Sequence, residues 1–452
     1  MVKIIKILKV VSRTVKSTDA HVFSEASLTA LSKTFKYDKC GVKKITAAAF
    51  IHGFMDMFQE GKNCMRTLCL RIGIHANNTL CQSSLEARFN RRTFAFVVAF
   101  LEQVMSIKVK ELCETTAQDS MNKSLMQKFK NVYLSDSTCQ TVPSNLAPIF
   151  PSSHSKTGKI NATLRLQVIF NYTLNTFSYF DMGSFRDNDQ GASDTILEVA
   201  QAGDLVIRDL GYFSLSIFAK MMNMGIFLIT KYKYGVTILD TEKEEAIDLL
   251  ALFSGKTEVD MLVKVGQSQQ LNMRLVAKKL PIIVANQRIA KAKKERNSSA
   301  KHSKEYYDLL KWEIYLTNVE SQTLDIEQIS ELYKSRWFIE IIFKTWKSYF
   351  NFKKILNVKA MSYYRAIITI VLMLAKITYA FTHIFNYIDN KIKQEYQRFL
   401  SPIKFMDVIN SLWHLIIKAN TLLEIDYLIP QFAMHATYEK SKKRISMRQR
   451  YI

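Results

Sequence analysis

The chain has 452 residues, 48% of them apolar and 12% aromatic, which suffices for a sizeable core and excludes an intrinsically disordered protein. Its formal net charge of +23 points to a polyanionic partner, nucleic acid first and an anionic membrane second. The six cysteines show no C-x-x-C spacing, which argues against a zinc site and for reduced thiols in a cytoplasmic protein.

The N-terminus, MVKIIKILKVVSR, keeps Lys3, Lys6 and Lys9 inside an apolar stretch and so lacks the continuous core of a signal peptide. Residues 1–128 are expected to be mostly helical. Within them, LCLRIGIHANNTLCQSSLEARFNRRTFAFVVAF reads as a short helix, a turn through Gly73 to Asn78, and a longer helical pair. Ser83 is a candidate helix cap, and Arg88, Arg91 and Arg92 are candidate DNA contacts of a helix-turn-helix. A plain helical bundle with a charged face fits the same pattern.

The middle of the chain changes character. NVYLSD (131–136) is a short strand ending in an acid, and LRLQVIFNY (164–172) alternates apolar residues on one face. TFSYFDM (176–182) follows a tight turn at Leu174 and Asn175. Next come a helical stretch (195–202), a buried strand DLVIRD (204–209), a helix after Gly211, and the strand IFLITKY (226–232). The order β-β-β-α-β-α-β is that of a ribonuclease-H-like α/β fold, a mixed sheet flanked by helices.

Residues 233–323 read as a β-rich insertion built from TEVDMLVKV, NMRLVAKKL, PIIVANQ and KWEIYLTN. A basic connector, RIAKAKKERNSSAKHSKEY, interrupts it, either solvated or facing DNA. Asp325 and Gln328 have the spacing of a capping box, and the helix they open is expected to run through Tyr333 to about Tyr349. The apolar run AIITIVLMLA (366–375) is short for a bilayer, which needs about 20 residues, and reads as a buried helix. The expected organisation is a helical DNA-binding region (1–128), a catalytic domain (129–380) interrupted by the insertion, and a helical C-terminal region (381–452).

In YKSRWFIEIIFKTWKSYF (333–350), Tyr333, Arg336, Glu340, Lys344 and Lys347 fall on one helical arc of roughly 80°. Trp346 lies on the opposite, apolar arc. Taken alone, Glu340 is half of an i,i+4 ion pair with Lys344, worth about 0.2–0.5 kcal/mol. Two other acids change that reading. Asp136 ends the first strand and Asp209 the fourth, and in this strand order the two are parallel neighbours with carboxylates at one C-terminal edge. A third carboxylate arriving on a helix completes a site for two divalent cations about 3.5–4 Å apart. Oxygen-only ligands suit Mg²⁺. Asp204 opens its strand at the opposite edge, and Asp187, Asp189 and Asp194 read as turn formers and a helix cap.

The spacing Tyr333, Arg336, Glu340, Lys347 resembles the Y-R-E-K signature of bacterial cut-and-paste DDE transposases of the insertion-sequence-four type. NVYLSDST around Asp136 and DLVIRDLGYFS around Asp209 resemble the first-acid and second-acid motifs of that family, and a β-rich insertion before the glutamate is a family feature. The resemblance covers roughly residues 80–380. It implies that Asp136, Asp209 and Glu340 are the catalytic ligands of two Mg²⁺ ions, with Mn²⁺ as a substitute. It also implies that Tyr333, Arg336, Lys344 and Lys347 contact phosphates of the element's terminal DNA. Trp337 either stacks on an unpaired base or packs against the insertion. The implied reaction is cleavage at the terminal inverted repeats and transfer of the 3′-hydroxyls into double-stranded target DNA, by a homodimer at the bacterial nucleoid. A ribonuclease-H-like nuclease without strand transfer, and a non-catalytic DNA-binding protein derived from a transposase, remain alternatives.

Overall fold

The computed structural model describes residues 8–11, 22–37, 44–61, 63–107, 125–152, 161–294, 302–356, 358–419 and 421–439. The chain forms two compact units. The first comprises Met1–Asp119, Ser137–Asp187 and Phe338–Ile452, and the second Ser120–Asp136 and Asn188–Trp337. The strands are β1 (Leu8–Val11), β2 (Val132–Val142), β3 (Ala162–Asn171), β4 (Thr176–Ser184), β5 (Leu205–Arg208), β6 (Phe227–Lys231), β7 (Ile238–Leu239), β8 (Glu258–Val265), β9 (Leu271–Lys279) and β10 (Trp312–Thr317).

In the first unit the strand order is β1-β4-β3, followed by the second half of β2. β3 and β4 form the expected hairpin, and Asn175 takes the left-handed conformation its turn requires, with φ 54°. The Asn171 side chain accepts the Leu174 amide at 3.0 Å and closes the turn. β1 departs from the helical expectation for residues 1–128. Leu8 and Val10 are buried, and the strand pairs antiparallel with β4, Leu8 opposite Met182 and Val10 opposite Phe180. Its alternation of Leu and Val with Lys is a strand pattern that becomes stable once an edge is available to pair with.

Helices fill the rest of this unit. Ala47–Glu60 is capped by Thr46, whose hydroxyl accepts the Ala49 amide, and ends at Gly61 with φ 64°. It packs so tightly on Met65–Ala76 that a Cβ built at Gly53 stands 2.5 Å from Ile72. Ser83 does not cap the helix that carries Leu85: it lies inside Gln82–Glu86, whose N-cap is Cys81, and the next, basic helix is capped by Asn90. Its carboxamide accepts the Arg92 and Thr93 amides and starts the helix Arg91–Ser106. The helix Tyr363–Thr378 continues through a π turn, Tyr379–Ile384, into Phe385–Tyr396. By length and composition this 34-residue stretch can cross a bilayer, yet its apolar window is entirely buried within the protein. It is the core helix that the apolar run foretells.

In the second unit the first half of β2 leads into the order β2-β5-β6-β10-β9-β8-β7. β2, β5 and β6 are parallel, and β10, β9, β8 and β7 continue as an antiparallel meander. All four residues of β5 are buried, as a strand covered on both faces demands. The antiparallel pair β3-β4 followed by parallel β2, β5 and β6 gives the mixed α/β, ribonuclease-H-like strand order expected from the sequence. The meander supplies the strands of the insertion, with one correction. PIIVANQ is not a strand: Ile282–Lys294 is a helix that extends into the basic connector, whose residues 295–301 lie outside the described residues. Arg274 ties the meander down from a buried position. Its guanidinium grips Asp260 through two bonds of 2.6 Å and donates to the Leu324 carbonyl at 2.7 Å.

Candidate active site

The parallel register of β2 and β5 runs from Val132 opposite Leu205 to Ser135 opposite Arg208. The next residues, Asp136 and Asp209, therefore leave neighbouring strands at the same level. β2 itself does not stop there, as the sequence suggested, but continues to Val142. Only its pairing with β5 ends at Ser135, because β5 finishes at Arg208 and Asp209 opens the short 3-10 turn Leu210–Tyr212. That turn is crowded: a Cβ on Gly211 would meet Asp189 at 3.0–3.2 Å.

Two anchors hold the strand end in place. Arg208 is 3% exposed, donates to the Ser193 carbonyl at 2.7 Å, and lies over the Tyr212 ring. Burial pushes its pKa down to about 10, with Tyr212 and Asp194 opposing. On the other side the Tyr333 hydroxyl donates to the Arg208 carbonyl at 3.3 Å. Tyr333 is itself buried, and burial pushes its phenol well above the ordinary range, with Arg336 opposing and Asp209 adding. It braces the backbone immediately before Asp209.

The predicted continuous helix is broken. One helix spans Ile326–Lys334, opened by the capping box in which Asp325 and Gln328 each bond the other's amide. A second spans Trp337–Ser348. Between them the Ser335 hydroxyl donates to the Leu332 carbonyl at 2.6 Å, and the Ser335 and Arg336 amides bond three residues back instead of four. A serine competing for backbone carbonyls is a physical cause of such a tightening. Arg336 thus projects from a break, not from the shared helical arc.

From that break Arg336 reaches both aspartates. Its Nη1 lies 3.6 Å from Asp136 Oδ2, and its Nε lies 4.0 Å from Asp209 Oδ1. Asp136 and Arg336 are largely enclosed, at 18% and 17% side-chain exposure, whereas Asp209 is open at 51%. Two carboxylates and a guanidinium therefore share one strand edge, with one acid open to an incoming ligand.

The other predicted residues fall as follows. Trp337 is 57% exposed. Glu340 belongs to the first unit, in the opening turn of Trp337–Ser348, and is half-buried; Lys344 and Lys347 on the same helix are exposed. That helix turns Phe338 onto Phe170 and Trp346 onto Phe177, at ring separations of 5.7 and 5.6 Å, so Trp346 is core as expected. Arg88 is engaged within the helical region, donating to the Tyr37 carbonyl at 3.5 Å and lying over the Tyr37 ring. Arg91 and Arg92 are exposed. Asp204 accepts from Asn131 and from the Gln201 amide at the start of β5, and Asp187 accepts the Ser184 amide in a turn. Both are structural. Among the described residues, no three His, Cys, Asp or Glu side chains stand together closely enough to hold a metal ion. Sequence reasoning overlooked Lys231, at the end of β6. The strand-end argument that found Asp209 would also have found it.

Residues 127–373 match the protein-family model described as a transposase DDE domain. The transposase for insertion sequence element IS231F of Bacillus thuringiensis subsp. israelensis is 30% identical over 315 residues, 65% of this chain and 64% of that protein. The corresponding transposase of IS231D, from Bacillus thuringiensis subsp. finitimus, is 29% identical over 67% of this chain and 66% of that protein. The transposase of IS1151 from Clostridium perfringens is 26% identical over 70% of this chain and 69% of that protein. The chain thus matches just under two thirds of the length of the first two relatives. With the family model covering more than half of its residues, and paired aspartates at a parallel strand edge inside the matched segment, the chain belongs to the DDE transposase family.

Proposed function

We propose that this chain is the transposase of an insertion sequence, cutting DNA at the element's ends and joining the freed 3′-hydroxyls to target DNA. The observation that carries the reading is the pairing of Asp136 and Asp209 at one parallel strand edge, with Arg336 drawn to both. Family membership supplies the reaction class.

The donor set suits hard divalent cations. Both aligned groups are carboxylates, and a cationic side chain already lies against both. Asp136 and Asp209, with Glu340 as the third acid, would hold two Mg²⁺ ions, Mn²⁺ being a substitute. When bound, such ions activate the attacking oxygen and stabilise the leaving one. The remaining work belongs to the chain. Tyr333 and Arg208 fix the backbone before Asp209, so that its carboxylate faces the scissile phosphate without reorganising. Arg336 grips a phosphate with its planar fork, and Lys344 and Lys347 add point charges along the DNA. Exposed Trp337 offers a stacking face to an unpaired base. Arg88, Arg91 and Arg92 belong to the DNA-binding region 1–128, which precedes the catalytic segment 129–380 with its insertion 233–323 and the C-terminal region 381–452. Pairing two ends calls for a homodimer on DNA, acting at the nucleoid.

In the cleavage step a water oxygen bonds to phosphorus while the bond from phosphorus to the 3′-oxygen breaks. The attacking water gives up a proton and the leaving oxygen takes one up. In strand transfer the freed 3′-hydroxyl oxygen bonds to a target phosphorus while the bond from that phosphorus to the target strand's 3′-oxygen breaks, the attacking hydroxyl giving up a proton and the leaving oxygen taking one up.

The test uses the purified chain, Mg²⁺, and a labelled duplex made from the DNA bordering the coding region. Wild type is expected to cut at a defined end, and Asp136→Asn and Asp209→Asn to bind the duplex without cutting. Mutants that cut as well as wild type would refute the assignment of the acids. Cutting without joining to a second duplex would indicate a nuclease, and binding without cutting a non-catalytic DNA-binding protein.

A further inference from the structure

The edge that carries Asp136 and Asp209 holds one more charged residue that the three-acid reading does not use. β5 and β6 are parallel, with Ile207 opposite Ile229. Continuing that register by two residues brings Asp209, just past the end of β5, level with Lys231, the last residue of β6. Asp136, Asp209 and Lys231 thus lie where the paired stretches of three consecutive parallel strands end. On the other flank of β6, Tyr315 of β10 pairs with Lys231.

The lysine is held in place from below. Its ammonium lies 5.3 Å from the centre of the Tyr333 ring, and Tyr315 packs on Tyr333 at 5.1 Å. The charges acting on it are Arg288, Glu313, Arg336 and Asp209. Glu313 is already satisfied. Arg288 donates to its Oε1 at 2.7 Å and the Ser330 hydroxyl to its Oε2 at 3.1 Å. Lys231 is therefore not needed as the counter-ion of Glu313, and among the described residues no ion pair claims its ammonium. Burial pushes its pKa down, and the nearby cations add to that push while Glu313 and Asp209 resist it. A half-buried cation beside the reacting edge, committed to a ring face and not to an acid, fits an anion that arrives later.

We propose that Lys231 is a catalytic residue whose ammonium binds a non-bridging oxygen of the scissile phosphate. The assignment rests on the transposase reading above. As the water oxygen bonds to phosphorus and the bond to the 3′-oxygen breaks, charge spreads over the equatorial oxygens, where a preplaced point charge is most effective. Lysine suits this position because a compact ammonium on a flexible stem follows a moving oxygen, whereas the planar fork of arginine fits a static phosphate.

The experiment is single-turnover cleavage of the labelled bordering duplex with Mg²⁺, at protein concentrations that saturate binding. Wild type, Lys231→Met, Lys231→Arg and Asp136→Asn are compared, with duplex affinity and melting temperature measured for each. Lys231→Met is expected to cut about 10²–10³-fold more slowly, the loss typical of removing one transition-state charge donor. Its affinity should stay within a few-fold of wild type, and Lys231→Arg should regain part of the rate. Lys231→Met cutting at the wild-type rate would overturn the assignment while leaving the acids in place. So would a lower melting temperature that Lys231→Arg restores without restoring the rate, since that marks a structural lysine. A wild type that binds the duplex and never cuts it overturns the underlying reaction, and Lys231's role with it.

Discussion

Replacing Lys376 by methionine is expected to stabilise the protein by an amount that depends on pH. Lys376 is 1% exposed. Its ammonium lies 4.6 Å from the Trp413 ring centre and 5.8 Å from that of Phe350, and it has no hydrogen-bond partner among the described residues. Burial pushes its pKa from 10.5 down to about 7, with Asp56 resisting. Between those two values the unfolded chain holds a proton that the folded chain lacks, so stability rises with pH across that window. Below about pH 7 both states are protonated and the full penalty applies. Above 10.5 neither is, and the penalty vanishes. At 1.36 kcal/mol per pKa unit, a shift from 10.5 to about 7 corresponds to about 5 kcal/mol between the two limits. That is a sizeable share of the roughly 5–15 kcal/mol that holds a domain folded. Methionine keeps an unbranched side chain over the Trp413 ring and removes the charge. Urea denaturation followed by tryptophan fluorescence at pH 7, 8, 9 and 10 reads the effect. Lys376→Met should unfold at higher urea at pH 7, with its advantage over wild type shrinking steadily towards pH 10. An advantage of constant size, or a variant weaker than wild type at pH 7, would refute the reasoning.

Arg336→Ala is expected to cut poorly yet to bind Mn²⁺ more tightly without DNA, because it removes the guanidinium lying against Asp136 and Asp209. A partly enclosed ion pair of this kind is worth about 1 kcal/mol, or roughly fivefold in Kd, readable by titration calorimetry. Gly53→Ala places a Cβ 2.5 Å from Ile72 and 2.8 Å from its backbone nitrogen, an overpacking that should cost about 1–3 kcal/mol and lower the melting temperature. The losses of cleavage expected for Asp136→Asn and Asp209→Asn, and for Lys231→Met, complete the set.

The paired acids were legible in the sequence because they depend on short-range patterns. NVYLSD and DLVIRD each read as a strand with an acid at its end, and the order of elements alone made the two strands parallel neighbours, as β2 and β5 are. The capping box at Asp325 and the buried run at 366–375 were legible for the same reason. The helix break at Ser335 was not. A continuous amphipathic helix satisfies the spacing of 333–350 equally well, and only the Ser335 hydroxyl's bond to the Leu332 carbonyl shows why the chain tightens there. PIIVANQ misled because short apolar runs are ambiguous between strand and helix.

Composition, periodicity and motif spacing determined the mixed α/β class, the basic character and the identity of the candidate acids, since each is set by neighbours along the chain. Tertiary structure decided what those residues meet. Arg336 faces both aspartates only because the helix breaks beneath it, and Tyr333 is buried as a brace behind Asp209 instead of standing on an exposed arc. Lys231 joined the edge only when β6 paired in register with β5. Register and burial arise from contacts between residues far apart in sequence, and no local spacing encodes them.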